Sequence, residues 1–405
     1  MAARKKSPTT TTTTSRAAKA LARKAAPAQG QSQGQSQGPL TVAQARAIAT
    51  AAQPAPAAPK AARAPKANPP RRAPTRALLA VTTKPTPDTV EVERRRLALQ
   101  QRKEVQQRVR DYKATMALLE KRGVKGLATA TATAAAAPAK RRSSKTPPPG
   151  SAAPAASTGP LRVLAEGDSW FDYPRFFGGG LVPRLEDLLG VPILSLAKAG
   201  DETRFMLGVK ERKLLAQHLR DGSPNGGAWE LLLFSGGGND IVDEPMVLWL
   251  HDFNPAKPAE QHLNRARFDS ALALVRAAYE DLIDLRDKLS PGTHLAFHGY
   301  DFLIADGRKV CHLGPWLKPS FDARGFPPDG AATGAVLTAM LQAFAAMLRS
   351  LAKKPGVSFI DTQGTLQRVS ASWHNEMHPS RNGFKQIADV MHQQLAPRFP
   401  GRVLP

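Results

Sequence analysis

Cysteine is nearly absent. Of 405 residues only Cys311 carries a thiol, so no disulfide forms within the chain and no CxxC metal knuckle exists. His312 is its one basic neighbour, and a packing role suits this thiol better than a nucleophilic one. Long apolar runs are missing too: no stretch approaches the roughly 20 apolar residues of a membrane span, so no transmembrane segment is expected. Met1-Ala-Ala-Arg-Lys-Lys is followed by no apolar core of a secretory signal, which makes the cytoplasm the expected location. Neither a GxxxxGKS/T phosphate loop nor a GxGxxG fingerprint occurs, and no cofactor is expected.

Acidic residues are scarce locally. Residues 1–160 hold 6 Asp+Glu against 30 Lys+Arg, whereas residues 161–405 hold 27 of each. The formal charge of +24 therefore belongs to the first part alone. Aromatics are missing there as well, Tyr112 being the only one before Trp170. A cationic segment without stacking aromatics suits non-specific polyanions, such as nucleic acid or an anionic surface, through counterion release; base-specific readout is not expected. Residues 1–150 are the expected carrier of that partner.

Composition divides this part further. Residues 1–87 read as a disordered, basic, low-complexity tail, with a threonine run (Thr9–Thr14), a Gln/Ser/Gly repeat (Gln31–Gly38) and Ala/Pro/Lys stretches from Ala51 to Pro70. From 88 to 122 Pro and Gly disappear, and Val105, Val109, Tyr112, Met116 and Leu119 recur at 4-3-4-3 spacing, the stripe of an amphipathic helix. Two partners suit that stripe: a second copy, in a coiled-coil dimer through 98–119, or the chain's own domain. Residues 123–160 read as an Ala/Pro/Ser/Lys-rich linker, and 161–405 as one α/β domain.

In that domain, apolar runs alternate with helical patterns. Strands are expected at Leu161–Ala165, Val191–Leu196, Trp229–Phe234, His294–Phe297 and Val357–Ile360. Helices are expected at Leu181–Leu189, Glu202–Leu219, His262–Leu289, Ala335–Leu351 and Arg381–Leu395. Regular alternation implies a parallel sheet of about five strands covered on both faces, with ligands bound beyond the carboxyl ends of the strands.

The residues that follow each strand are therefore the ones to inspect. Strand one leads into Gly167-Asp168-Ser169-Trp170, strand two into Lys198-Ala199-Gly200-Asp201, and strand three into Ser235-Gly236-Gly237-Gly238-Asn239-Asp240. Beyond strand five lies His374-Asn375-Glu376-Met377-His378-Pro379. A serine, a glycine, an asparagine and a histidine at one sheet edge are equipped for acyl transfer. Ser169 supplies a nucleophile and His378 a general base. Backbone N–H groups of Ser169 and Gly200, with the Asn239 amide, supply donors for an oxyanion.

These four blocks resemble the SGNH/GDSL hydrolase superfamily over roughly 161–397. The resemblance implies a three-layer α/β/α, flavodoxin-like fold and hydrolysis of carboxylic esters, of esterase or lipase type. One departure stands out. The superfamily usually has an aspartate three residues before the histidine, and here that position is Asn375. An amide accepts a hydrogen bond from the ring but cannot offset imidazolium charge. Support of His378 by Asn375, by Glu376, by Asp361 at the end of strand five, or by none of them stays open, with a Ser-His dyad or Asn375 favoured.

Other motifs read blandly. His374 and His378 are four apart, but the zincin pattern needs Glu after the first, where Asn375 stands; no metal site is expected. Asp168 is expected to brace its loop. Two insertions, Val242–Pro258 and Asp301–Asp329, carry Trp249, Phe253, Trp316, Phe321 and Phe326, either as walls of the site or as packed surface loops. The alternative to an esterase is a catalytically weakened domain in a protein that acts mainly through its basic tail. The ester itself (acyl lipid, acetylated sugar, thioester or aryl ester) is not specified by these motifs.

Overall fold

The computed structural model describes residues 38–53, 87–127, 159–310, 313–328 and 330–405. The threonine run, most of the 123–160 linker, and Cys311 with His312 lie outside the described residues. Five strands pair in parallel: β1 (Val163–Gly167), β2 (Ile193–Ser195), β3 (Leu231–Ser235), β4 (His294–His298) and β5 (Val357–Ile360), in the order β2-β1-β3-β4-β5. Val163 sits between Ile193 and Leu231, and Leu295 pairs with Val357. β1 and β3 are buried along their whole length, which explains why both read as unbroken apolar runs rather than alternating ones.

The helices are α1 (Val42–Ala51), α2 (Pro87–Arg122), α3 (Leu181–Leu189), α4 (Thr203–Met206), α5 (Val209–Asp221), α6 (Gly238–Ile241), α7 (Arg265–Leu289), α8 (Lys318–Ala323), α9 (Ala331–Leu351) and α10 (Arg381–Leu395). α3 packs on α10, while α7 packs on α5 and α9. The chain leaves β1 towards one edge, returns past it to β3, and so reverses direction between these two strands. In open parallel sheets this switch point opens the crevice where ligands bind. The Gly-Asp-Ser and Gly-Gly-Asn-Asp blocks flank it.

Two expectations need correction, and a third needs a structural explanation. First, the stretch 1–87 is not tail throughout. Thr41 and Gln44 form a capping box at the start of α1, and Leu40, Val42 and Ala45 pack on Leu119 and Val124. Alanine-rich composition hid this helix. Second, the helix expected over Glu202–Leu219 breaks into α4 and α5 at Gly208, whose extended backbone caps the second piece. Third, α9 is one described helix long and apolar enough, by length and composition, to cross a membrane. Its Val336, Leu337, Met340, Phe344 and Leu348 are buried in the sheet's core, which accounts for that composition.

α2 turns its apolar stripe onto the chain's own domain. Tyr112, Met116 and Leu119 are buried and Val105 and Val109 pack beside them. Tyr112 meets Trp229 at 5.6 Å between ring centroids. Arg108 donates to the Ser195 and Ala197 carbonyls at 3.3 and 2.8 Å and to Asp172 Oδ1 at 2.9 Å, tying α2 to the end of β2 and to the loop after β1. Met116→Ala should therefore destabilise the protein by about 2–5 kcal/mol in denaturant unfolding, the usual cost of emptying a core methionine site. A cost under ~0.5 kcal/mol would mean that α2 is not part of the core.

Candidate active site

β1 ends at Gly167, and the chain turns at once. Asp168 holds that turn: its Oδ1 accepts from Trp170 N at 2.9 Å and Ser235 Oγ at 2.8 Å, and its Oδ2 accepts from the Tyr300 hydroxyl. Burial pushes the Asp168 carboxyl up to about 6 against the lowering effect of these donors. The carboxylate thus binds the loop after β1 to β3 and to the segment after β4, the bracing expected from sequence. Ser169 follows, almost fully buried.

Ser169 Oγ lies 2.7 Å from His378 Nε2, and His378 Nδ1 lies 3.0 Å from Asn375 Oδ1. The Asn375 oxygen also accepts from the backbone N–H of Met377 and of His378, each at 2.9 Å. Turning the amide over would aim an NH2 group at two N–H donors, so the oxygen is locked toward the ring. Being an acceptor only, it selects the tautomer protonated on Nδ1. The Nε2 lone pair is left to accept a hydrogen bond from the Ser169 hydroxyl. Burial, followed by the charge of His374, lowers the His378 pKa to about 3, so the ring is neutral at pH 7.

Ser169, Asn375 and His378 are therefore brought together, and the other two candidates for supporting the ring are not. Asp361 sits exposed at the end of β5, where its Oδ2 accepts from Arg349 at 2.7 Å. Glu376 is fully buried but turned away from the ring. Its oxygens accept from the backbone N–H of Gly307 (2.9 Å), Trp316 (2.6 Å), Leu317 (2.8 Å) and Lys318 (3.0 Å).

The donor groups sit on the other side of the serine. Gly200 adopts φ +83°, a left-handed turn that a side chain rarely tolerates. Neither the Gly200 nor the Ser169 backbone N–H has a hydrogen bond among the described residues. Asn239 places one Nδ2 proton on the Asp201 carbonyl at 2.9 Å, which fixes its amide and leaves the second proton for another acceptor. Gly237, at φ +93°, lets β3 turn into α6; a Cβ there would stand 2.7 Å from the Phe344 ring.

The GDSL-like lipase/acylhydrolase family model matches residues 164–386, more than half of the chain. The chain belongs to that family. Solved structures similar to this GDSL-like hydrolase include an extracellular lipase from Streptomyces rimosus, 18% identical, covering 57% of this chain and 99% of that one with a TM-score of 0.38. A second is Est24, a carbohydrate acetylesterase from Sinorhizobium meliloti, 14% identical, covering 59% of this chain and 100% of that one with a TM-score of 0.35. A lipase from a goat rumen metagenome is 17% identical, covering 57% and 96% with a TM-score of 0.37. No curated protein matches the sequence.

Two aromatic rings border His378, of which Tyr173 was not among the residues singled out from the sequence. Tyr173 stacks on the His378 ring at 4.4 Å and 25°, and its hydroxyl meets Asn375 Nδ2 at 3.2 Å and His374 Nδ1 at 2.6 Å. Trp316 approaches the same ring edge-on at 5.9 Å. The available signal for Tyr173 was its place four residues after the serine. The two insertions pack on each other: Phe253 N donates to the Arg324 carbonyl at 2.8 Å, and Phe253 and Phe321 both contact Phe326. Only Trp316, among the insertion aromatics singled out, reaches the histidine.

Proposed function

We propose that the protein is a serine-dependent hydrolase of carboxylic esters. One observation carries this: the 2.7 Å contact of Ser169 Oγ with His378 Nε2, beside unspent N–H donors on Ser169 and Gly200. Ser169 Oγ attacks the ester carbonyl while Nε2 takes its proton, and the carbonyl oxygen gains negative charge. The Ser169 and Gly200 N–H groups and the free Asn239 proton donate to that oxygen. The tetrahedral species collapses, His378 returns the proton to the departing alcohol, and an acyl-serine remains. Water then attacks the acyl carbon, giving up its proton to Nε2, and Ser169 regains a proton as the acid leaves. Asn375 holds the ring throughout without changing protonation.

A cavity of about 20 Å³ adjoins Ser169 and Asn239, walled by Ile241, Val242, Leu303 and Leu341. That is room for one water-sized group, which favours an acetyl over a long acyl chain. On p-nitrophenyl esters, kcat/KM should fall by about 10-fold or more from acetate to octanoate, since an acyl chain larger than the cavity must displace packed side chains at a typical cost of roughly 1–3 kcal/mol. The base works when neutral, so activity should persist below pH 5 and decline only toward the His378 value of about 3. No turnover of any ester sinks the proposal; an acid limb near 6.5 would sink the buried-base account.

A further inference from the structure

The proton that Ser169 gives up leaves a cation on a buried ring. In the arrangement that the resemblance implies, an aspartate would face that cation, but here Asn375 faces it. Glu376 spends its oxygens on four backbone N–H groups. His374, the other titratable neighbour, opposes a positive charge on His378. What does lie against the ring is the face of Tyr173, with centroids 4.4 Å apart and planes 25° from parallel. An aromatic face carries negative quadrupole density and attracts a cation within about 6 Å, more strongly where water is excluded. Tyr173 and His378 are both at 7% exposure, so water is largely excluded. The hydroxyl's contacts with Asn375 and His374 hold the phenol plane over the imidazole.

We propose that the face of Tyr173 stabilises the imidazolium form of His378, supplying part of what a carboxylate at position 375 would supply. This rests on the proton transfer described above, and it makes Tyr173 a positioning and stabilising residue acting through His378. Tyr173→Phe keeps the ring face and should hold kcat within about 5-fold. Tyr173→Leu removes it and should lower kcat by about 10- to 30-fold with KM within 2-fold, the worth of one desolvated cation–π contact. The decisive comparison is with Asn375→Asp. With a carboxylate there to face the cation, adding Tyr173→Leu should cost about 3-fold or less in kcat. A purely packing role predicts the same loss in both backgrounds, and that result overturns the proposal, as does equal loss in the Phe and Leu variants. Nuclear magnetic resonance titration of His378 in the Asn375→Asp protein needs no turnover and so separates this inference from the esterase reading. The histidine pKa should fall on adding Tyr173→Leu, by up to about half a unit where the carboxylate shares the cation; an unchanged value counts against Tyr173 even if no ester is cleaved.

Discussion

Ser169→Ala should reduce ester turnover by about 10⁴-fold or more while leaving the fold intact. The size follows from the proposed mechanism, in which serine and histidine act as a unit, so removing the nucleophile would forfeit the whole acyl-transfer route and leave only the oxyanion donors acting on water. The intact fold follows from the contacts. Among the described residues the Ser169 hydroxyl bonds only His378, whereas the turn itself is held by Asp168 through Trp170, Ser235 and Tyr300. Steady-state kinetics on p-nitrophenyl acetate, with the thermal midpoint measured on the same preparation, check both halves. A variant with more than about a tenth of wild-type kcat would remove Ser169 from the mechanism.

Glu376→Ala should destabilise the protein by about 3–5 kcal/mol in denaturant unfolding. Four backbone donors, from Gly307, Trp316, Leu317 and Lys318, converge on this one buried carboxylate. Truncation leaves them without their acceptor, and each donor left buried and unpaired costs roughly 1–3 kcal/mol before relaxation. The change also unfastens the 307–318 segment and with it Trp316, which borders His378. KM for esters should therefore rise in whatever protein remains folded. Glu376→Gln retains one oxygen and replaces the other with a donor, so it should fall between wild type and alanine. A loss below ~1 kcal/mol in Glu376→Ala would show that the segment does not depend on this anchor.

Much of this was legible in the sequence, and the reasons differ by element. The strands stood out because a parallel sheet buried on both faces demands continuous apolar runs, and Val357–Ile360 agrees residue for residue with β5. β1 runs two residues and β3 one residue past their apolar runs, ending at Gly167 and Ser235, since backbone pairing continues where side-chain hydrophobicity stops. α1 was invisible because alanine in a Pro/Lys-rich context looks like tail; its partners, Leu119 and Val124, lie some 70 residues away in sequence.

At the site, Ser169, Gly200, Asn239 and His378 were legible because each follows a strand end, and all parallel strands deliver their ends to one edge. The partner of the imidazole was not. Asn375, Glu376 and Asp361 all stood close enough in sequence to compete, and only the turn at 375–378, with the Asn375 oxygen bonded to two backbone N–H groups, separates them. Tyr173 and Trp316 reach the ring from the loops after β1 and β4, a tertiary meeting that no spacing encodes.

Ser169 as a nucleophile activated by His378 is the proposal on which the others depend. Treating the full chain with a fluorophosphonate and measuring its intact mass tests it most directly. A single phosphonyl adduct is expected, which peptide mapping places on Ser169, and none on the Ser169→Ala protein. An unmodified wild-type chain, or an adduct that survives in Ser169→Ala, would contradict it.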